Sequence, residues 1–259
     1  MVVFSAIVPH PPLSIPGIGN GEQLSKLQRT IQSLDGLRVA LEHARPETVV
    51  VITPHGHMEE YSFVLNRNHD LSGDLDKFGL SAEYSYENDL TIVDRINYVC
   101  EMNEVPVEIH HDPLDHGTVI PLHHLLKNIS PKLVHISFSL LDFVRHFEFG
   151  KLIGQIFDSS SKRIAVIASA DLSHRITSDS PAGYSPSAKY FDLKVIEILK
   201  QRDTDRLMKL EQHVIDEAAE CGLRSIIVLL GIMNGRQYDL RILSYEHPFG
   251  VGHLVARLV

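Results

Sequence analysis

Thr48-Val49-Val50-Val51-Ile52-Thr53-Pro54-His55-Gly56-His57 is the stretch whose reading decides the fold. From Thr48 to Thr53 the residues are β-branched and show no polar alternation. That pattern predicts a strand buried on both faces, as in the parallel part of an α/β sheet. Pro54 ends the strand, and the chain leaves its carboxyl end carrying His55 and His57. Upstream, residues 22–45 place Leu24, Leu27, Ile31, Leu34, Leu37 and Leu41 at spacings of three and four, on one face of a helix that Pro46 stops. Before that helix, Val2–Val8 is another apolar run, closed by Pro9-His10-Pro11-Pro12. A strand, a helix and a strand in that order predict parallel pairing through a right-handed crossover.

The same alternation continues towards the carboxyl terminus. Residues 62–88 are less regular and predict a hairpin or surface excursion. A helix is expected over 88–104, with Ile92, Ile96, Val99 and Cys100 aligned, and a strand over 105–109. A helix over 118–128, a strand over 133–138, a helix over 147–158 and a strand over 163–168 follow. Residues 175–187 form a polar Ser/Pro/Gly loop. Helices are expected over 187–200 and 203–210, and one long helix over 214–233 with Leu223, Ile226, Ile227, Leu230 and Met233 as its apolar stripe. After the Asn234-Gly235 turn, strands over 240–245 and 251–258 flank a tip at 247–252. The expected architecture is a single α/β domain over 1–259, with a central mixed, largely parallel sheet flanked by helices and its last strands antiparallel.

The chain has 259 residues, 44% of them hydrophobic and 22% charged, which excludes disordered and collagen-like classes. Its formal charge of -9 argues against a general nucleic-acid surface. Two cysteines, Cys100 and Cys221, cannot build a disulfide framework and suit a reducing compartment. Val2–Val8 lacks a preceding basic region and is too short for a signal or membrane segment. The reading is therefore cytoplasmic, with no membrane and no nucleic acid as partner.

Histidine is the anomaly, with 16 in the chain. His10, His55, His116 and His174 each follow an apolar run by a few residues. Ligands of open α/β sheets bind outside the carboxyl ends of strands, so loops leaving one sheet edge would bring these imidazoles together. Imidazole suits iron, zinc, copper and nickel, and two histidines with one carboxylate form the facial site of non-haem Fe(II) oxygenases. Carboxylates are available at Glu220, Glu217, Asp216, Asp171 and Asp115. Glu220 opens the most apolar part of the expected last long helix, where an inward carboxylate needs a partner.

The order of these motifs resembles that of the class III extradiol ring-cleavage dioxygenases, the superfamily of the catalytic subunit of protocatechuate 4,5-dioxygenase. The resemblance rests on Val8-Pro9-His10, Val51-Ile52-Thr53-Pro54-His55, Asp115-His116-Gly117 followed by Val119-Ile120-Pro121-Leu122, Ala170-Asp171-Leu172-Ser173-His174, and Glu220-Cys221-Gly222. It implies His10, His55 and Glu220 as metal ligands, His174 as the acid/base and His116 as a second active-site histidine. It implies Fe(II), with zinc able to replace it on purification, and a catechol or 2-aminophenol cleaved by dioxygen beside its two hydroxyls. His57 is a second donor beside His55, and Asp171 and Asp115 are carboxylates able to bind the metal or orient a ligand. Tyr184 and Phe249 are candidates to contact an aromatic substrate, and Arg175 a substrate carboxylate. His110, His111, His123 and His124 flank the Asp-His-Gly motif as rim or supporting residues.

Cys221 departs from the pattern. A Memo-like branch of the superfamily uses a cysteine and an additional histidine, and such relatives resemble members of a three-component system that includes a radical-SAM protein. On a continuous helix Cys221 would point about 100° away from Glu220, so both would not face one metal. The alternatives are thus a Memo-like metal protein acting with a protein partner and a metal-dependent hydrolase. A homodimer built on Ile242–Val259 is a further expectation.

Overall fold

The buried runs expected from the sequence become the middle of one sheet in the computed structural model, which describes residues 1–259. In chain order the regular elements begin with β1 (Val2–Val8), α1 (Gly21–Lys26), α2 (Gln28–Ala44), β2 (Thr48–Thr53), β3 (Phe63–Asn66), β4 (Asp70–Leu75) and β5 (Leu80–Glu87). They continue with α3 (Leu90–Met102), β6 (Val107–His110), α4 (His116–Leu125), β7 (Lys132–Ser137), α5 (Phe143–Ser159) and β8 (Ile164–Ser169). The last are α6 (Pro186–Gln201), α7 (Thr204–Met208), α8 (Gln212–Ala218), α9 (Leu223–Ile232), β9 (Arg241–Glu246) and β10 (His253–Arg257).

Eight strands form the main sheet in the order β6-β3-β7-β2-β8-β1-β10-β9. The central pairs β7-β2, β2-β8 and β8-β1 are parallel. Every residue of β2 and β8 is buried, as an unbroken apolar run demands when helices cover both faces. β10 pairs antiparallel with β1, and β9 antiparallel with β10. One face of the sheet packs against α3, α5, α6 and α9, the other against α2 and α4. β4 and β5 form a separate hairpin, so only part of the 62–88 excursion stays outside the sheet: β3 joins it beside β7.

Two expectations change. The helix expected over 22–45 breaks at Leu27, where α1 ends and α2 begins. The helix expected over 214–233 is two helices, because Ala219 adopts a left-handed conformation (φ 51°) and residues 220–222 form a turn. The turn is held close to β8: a Cβ on Gly222 would lie 2.5 Å from the Ala170 Cβ. Ile242–Val259, the segment on which a homodimer is expected, joins the chain's own sheet. His253–Ala256 of β10 are buried between β1 and β9, so within this segment the free edge is that of β9.

Candidate metal centre

β2, β8 and β1 are neighbours, so their carboxyl ends lie side by side. Each delivers a metal-binding residue type two positions beyond its last residue: His10 after Val8, His55 after Thr53 and Asp171 after Ser169. His116 arrives by another route, as the first residue of α4. Asp115 caps that helix, accepting from the Thr118 N–H at 3.1 Å and from Thr53 Oγ1 at 2.6 Å, while its other oxygen faces His135 Nε2 at 3.0 Å. Burial pushes the Asp115 carboxyl up, but His135 and the hydroxyl donors outweigh it and hold it well below the carboxylate range. Gly117 permits the approach, since a Cβ there would lie 2.9 Å from Thr53 Oγ1 and 3.2 Å from the His55 ring.

Donor atoms of His10, His55 and His116 lie within 4.8 Å of one another. His10 Nε2 is 3.1 Å from His55 Nε2, and the His55 and His116 rings stack at 4.4 Å. Hydrogen bonds set the tautomer of His10. The Ser169 hydroxyl donates to the Gly117 carbonyl, so it accepts at 2.8 Å from His10 Nδ1. His10 Nε2 then carries a lone pair. It faces His55 Nε2, Asp171 Oδ2 at 3.4 Å and Cys221 Sγ at 3.6 Å. Burial pushes the His10 pKa below its ordinary value, so the ring is neutral near pH 7. Burial pushes Asp171 up, yet the neighbouring His10, His253 and His174 leave it below its ordinary value and ionised. His10 Nε2 and the Asp171 carboxylate thus form one coupled buried pair, which either shares a proton or holds a cation. A cation satisfies both, and cis donors around a divalent ion with bonds of about 2.1 Å stand about 3.0–3.4 Å apart. The donor set therefore fits a borderline divalent metal.

His55 is pushed down to about 4 by burial and then by His10, although its edge remains open to solvent. His116 is pushed down to about 3 by burial, then by His55 and His10. Lys77 Nζ donates to His116 Nδ1 at 3.1 Å, which leaves the neutral ring's proton on Nε2. His174 is tied to the α8 end through its backbone N–H on the Ala218 carbonyl, and its buried Nδ1 has no partner. Together with His253, these histidines and Asp171 line a cavity of about 280 Å³. Pro181, Phe249 and Val251 supply apolar wall, so the space suits one small ligand with a polar edge.

Several candidates stand elsewhere. Glu220 is outside the mutually close donor group; its Oε2 accepts from the Leu223 N–H at 2.6 Å and caps α9. Because Ala219 interrupts the helix, Glu220 and Cys221 lie on a turn, and it is the Cys221 sulfur that reaches His10. Burial raises the Cys221 thiol, with Asp171 and Glu220 adding to the shift. Tyr184 is 59% exposed and does not line the cavity, whereas Phe249 does. His57 stacks on His110, away from the cavity lining. His123 meets the Tyr84 hydroxyl, His124 meets Ser14, and His111 meets Asn68.

Sequence reasoning missed Ser169, Lys77, His135 and His253. It searched for histidines that follow apolar runs. His253 precedes one, and enters because β10 runs antiparallel to β1, so its first residue lies at the edge where β1 ends. The expected antiparallel carboxyl-terminal strands carried that signal.

A family model described as the catalytic LigB subunit of aromatic ring-opening dioxygenase matches residues 5–256. The chain is 31% identical over 97% of its length to Protein CA_C1420 of Clostridium acetobutylicum, of which it spans only 56%. It is 25% identical to the 3,4-dihydroxyphenylacetate 2,3-dioxygenase of Escherichia coli, over 69% of each chain. The crystal structure of the Escherichia coli K12 protein JW3007 superposes with a TM-score of 0.72 over 99% of both chains at 17% identity, a likeness of fold. No helix is long and apolar enough to cross a membrane.

Proposed function

Because the chain belongs to the family of catalytic LigB subunits of aromatic ring-opening dioxygenases, we propose that it cleaves a catechol or 2-aminophenol ring with dioxygen, outside the two vicinal heteroatoms, at a non-haem Fe(II) held by His10 and His55. The observation that carries the reading is His10 Nε2 facing both His55 Nε2 at 3.1 Å and Asp171 Oδ2 at 3.4 Å. Asp171 is supported as the carboxylate ligand by that distance. Glu220, the third ligand of the sequence pattern, lies outside the close donor group and has one oxygen on the Leu223 N–H.

Bound Fe(II) would supply the electronic path between ring and dioxygen and neutralise the deprotonated substrate. This chain's residues do the rest. His174, which lines the cavity, takes a proton from a substrate hydroxyl. His116 offers an Nε2–H to the oxygen side of the site, with Lys77 holding that tautomer. Phe249 and Val251 cover the ring and exclude water. Anaerobic reconstitution with Fe(II), followed by a catechol and 2-aminophenol panel with oxygen-uptake detection, tests the proposal. Stoichiometric uptake with a ring-opened product is expected; an iron-loaded protein that consumes no oxygen with any of them overturns it.

One observation favours a second reading. Cys221 Sγ is 3.6 Å from His10 Nε2, a position from which a thiolate would complete a softer site. A Memo-like metal protein working with a protein partner would follow, and it predicts metal binding without ring cleavage. Removal of the thiol separates the readings: Cys221→Ala retains iron under the first and loses metal under the second.

A further inference from the structure

We propose that the chain carries a second divalent-metal site, separate from the cavity, formed by His57, His110 and Asp112 and oriented by Glu59. His57 lies on the turn after β2, and His110 is the last residue of β6, three strands away in the sheet. Their rings stack with centroids 3.4 Å apart and planes tilted by 23°. This stacking aligns like nitrogens on the two rings. Both Nδ1 atoms lie 3.1 Å from the same oxygen, Asp112 Oδ2. The three donor atoms are all within 4.8 Å of one another.

Tetrahedral donors with bonds of about 2.0–2.1 Å stand about 3.3–3.4 Å apart. Both observed His–Asp separations lie close to this, and the stacked rings must splay apart to aim both Nδ1 lone pairs at one ion. The opposite edge of the stack supplies an independent observation. Glu59 Oε1 is 2.7 Å from His57 Nε2 and 3.8 Å from His110 Nε2. A metal-bound histidine generally gives its other N–H to a carboxylate, which fixes the tautomer and strengthens the donor. Glu59 does this for His57 and is within reach of doing so for His110, leaving the Nδ1 lone pairs on the Asp112 side. Two imidazoles and a carboxylate, with water completing the shell, select zinc-like borderline ions over magnesium or calcium. The ion would clamp the β2–β3 connection to the end of β6, close behind the turn that presents His55.

Equilibrium dialysis of chelator-stripped protein against Zn(II) tests the site. His110→Ala should bind one ion fewer per chain than wild type, and Asp112→Asn should lose the same ion. Glu59→Gln should keep the count while weakening that ion by about 10–100-fold. Far-ultraviolet circular dichroism verifies that each variant is folded. The comparison is independent of the cavity: the ion left in His110→Ala reports on His10 and His55, whereas the difference from wild type reports on this site. If either folded variant binds as many ions as wild type, with unchanged affinity, the second site does not exist.

Discussion

At the scale of single residues, the division of labour among the histidines follows from their hydrogen-bond partners. Ser169 fixes His10 with its Nε2 lone pair free, and Lys77 fixes His116 with its proton on Nε2. One ring is thereby a donor of electrons and the other a donor of a proton. His174→Ala and His116→Ala should retain iron and lose about 10²–10⁴-fold in ring cleavage, the range of a positioned acid/base group. His174 should have the larger effect, because it is the residue proposed to take the substrate proton. Single-turnover kinetics on iron-loaded variants checks this, and near-wild-type turnover of His174→Ala would remove that residue from the chemistry. Glu220→Gln addresses the carboxylate. Glutamine still accepts from the Leu223 N–H, so metal affinity and melting temperature should stay near wild type. A hundredfold loss of metal would instead return Glu220 to the coordination sphere.

At the scale of elements, the site depends on how closely helices approach the sheet and one another. α5 and α9 cross in backbone contact: a Cβ on Gly150 would lie 2.2 Å from the Val228 carbonyl oxygen, and one on Gly231 2.3 Å from the Phe147 carbonyl oxygen. Backbone cannot yield there as a flexible side chain would. Gly150→Ala should therefore destabilise by about 1–3 kcal/mol or more, the cost of overpacking a filled interior, measured by urea unfolding. An unchanged denaturation midpoint would show that the helices separate freely. The effect should reach the site, because α9 begins one residue after the Gly222 turn that holds Cys221 near His10.

At the scale of the molecule, buried titratable groups make stability depend on pH in opposing directions. Burial lowers His124 to about 3 and also lowers His10 and His253. In the unfolded chain these rings take protons near pH 6.5, so falling pH favours the unfolded state, with stability lost progressively below about 6.5. Asp192 acts the other way. Its carboxylate is buried, accepts from the Ser173 N–H at 2.9 Å and the Tyr245 hydroxyl at 2.7 Å, and is raised to about 7, chiefly by burial. The folded state keeps that proton after the unfolded chain has released it near pH 4, so rising pH costs stability between about 4 and 7. Asp192→Asn should raise the melting temperature at pH 8 by about 2–4 °C for each kcal/mol relieved, and the gain should vanish by pH 4. A gain of equal size at both pH values would mean that Asp192 is not the titrating group.

The sequence by itself determined the parallel centre of the sheet and several candidate ligand residues at its edge. Unbroken β-branched runs such as Thr48–Thr53 have few other stable placements, and a strand's carboxyl end fixes where the next residues emerge. Hence the positions of His10 and His55 at one sheet edge were legible, each two positions past a strand, while Asp171, in the same register, stood only as a possible ligand beside the expected Glu220. Contacts distant along the chain were decided only by the tertiary structure. The apolar stripe over 214–233 is compatible with one helix; Gly222 packing on Ala170 and the left-handed Ala219 break it, which exchanges the neighbourhoods of Glu220 and Cys221. His253 reaches the cavity by antiparallel pairing with β1, and His57 finds His110 rather than His55 because the turn after β2 packs against the end of β6. Local patterning specifies which residues must be buried and where strands end. Which donor atoms then face one another depends on chain reversals and cross-sheet packing, whose energies are summed over many contacts and leave no short-range mark in the sequence.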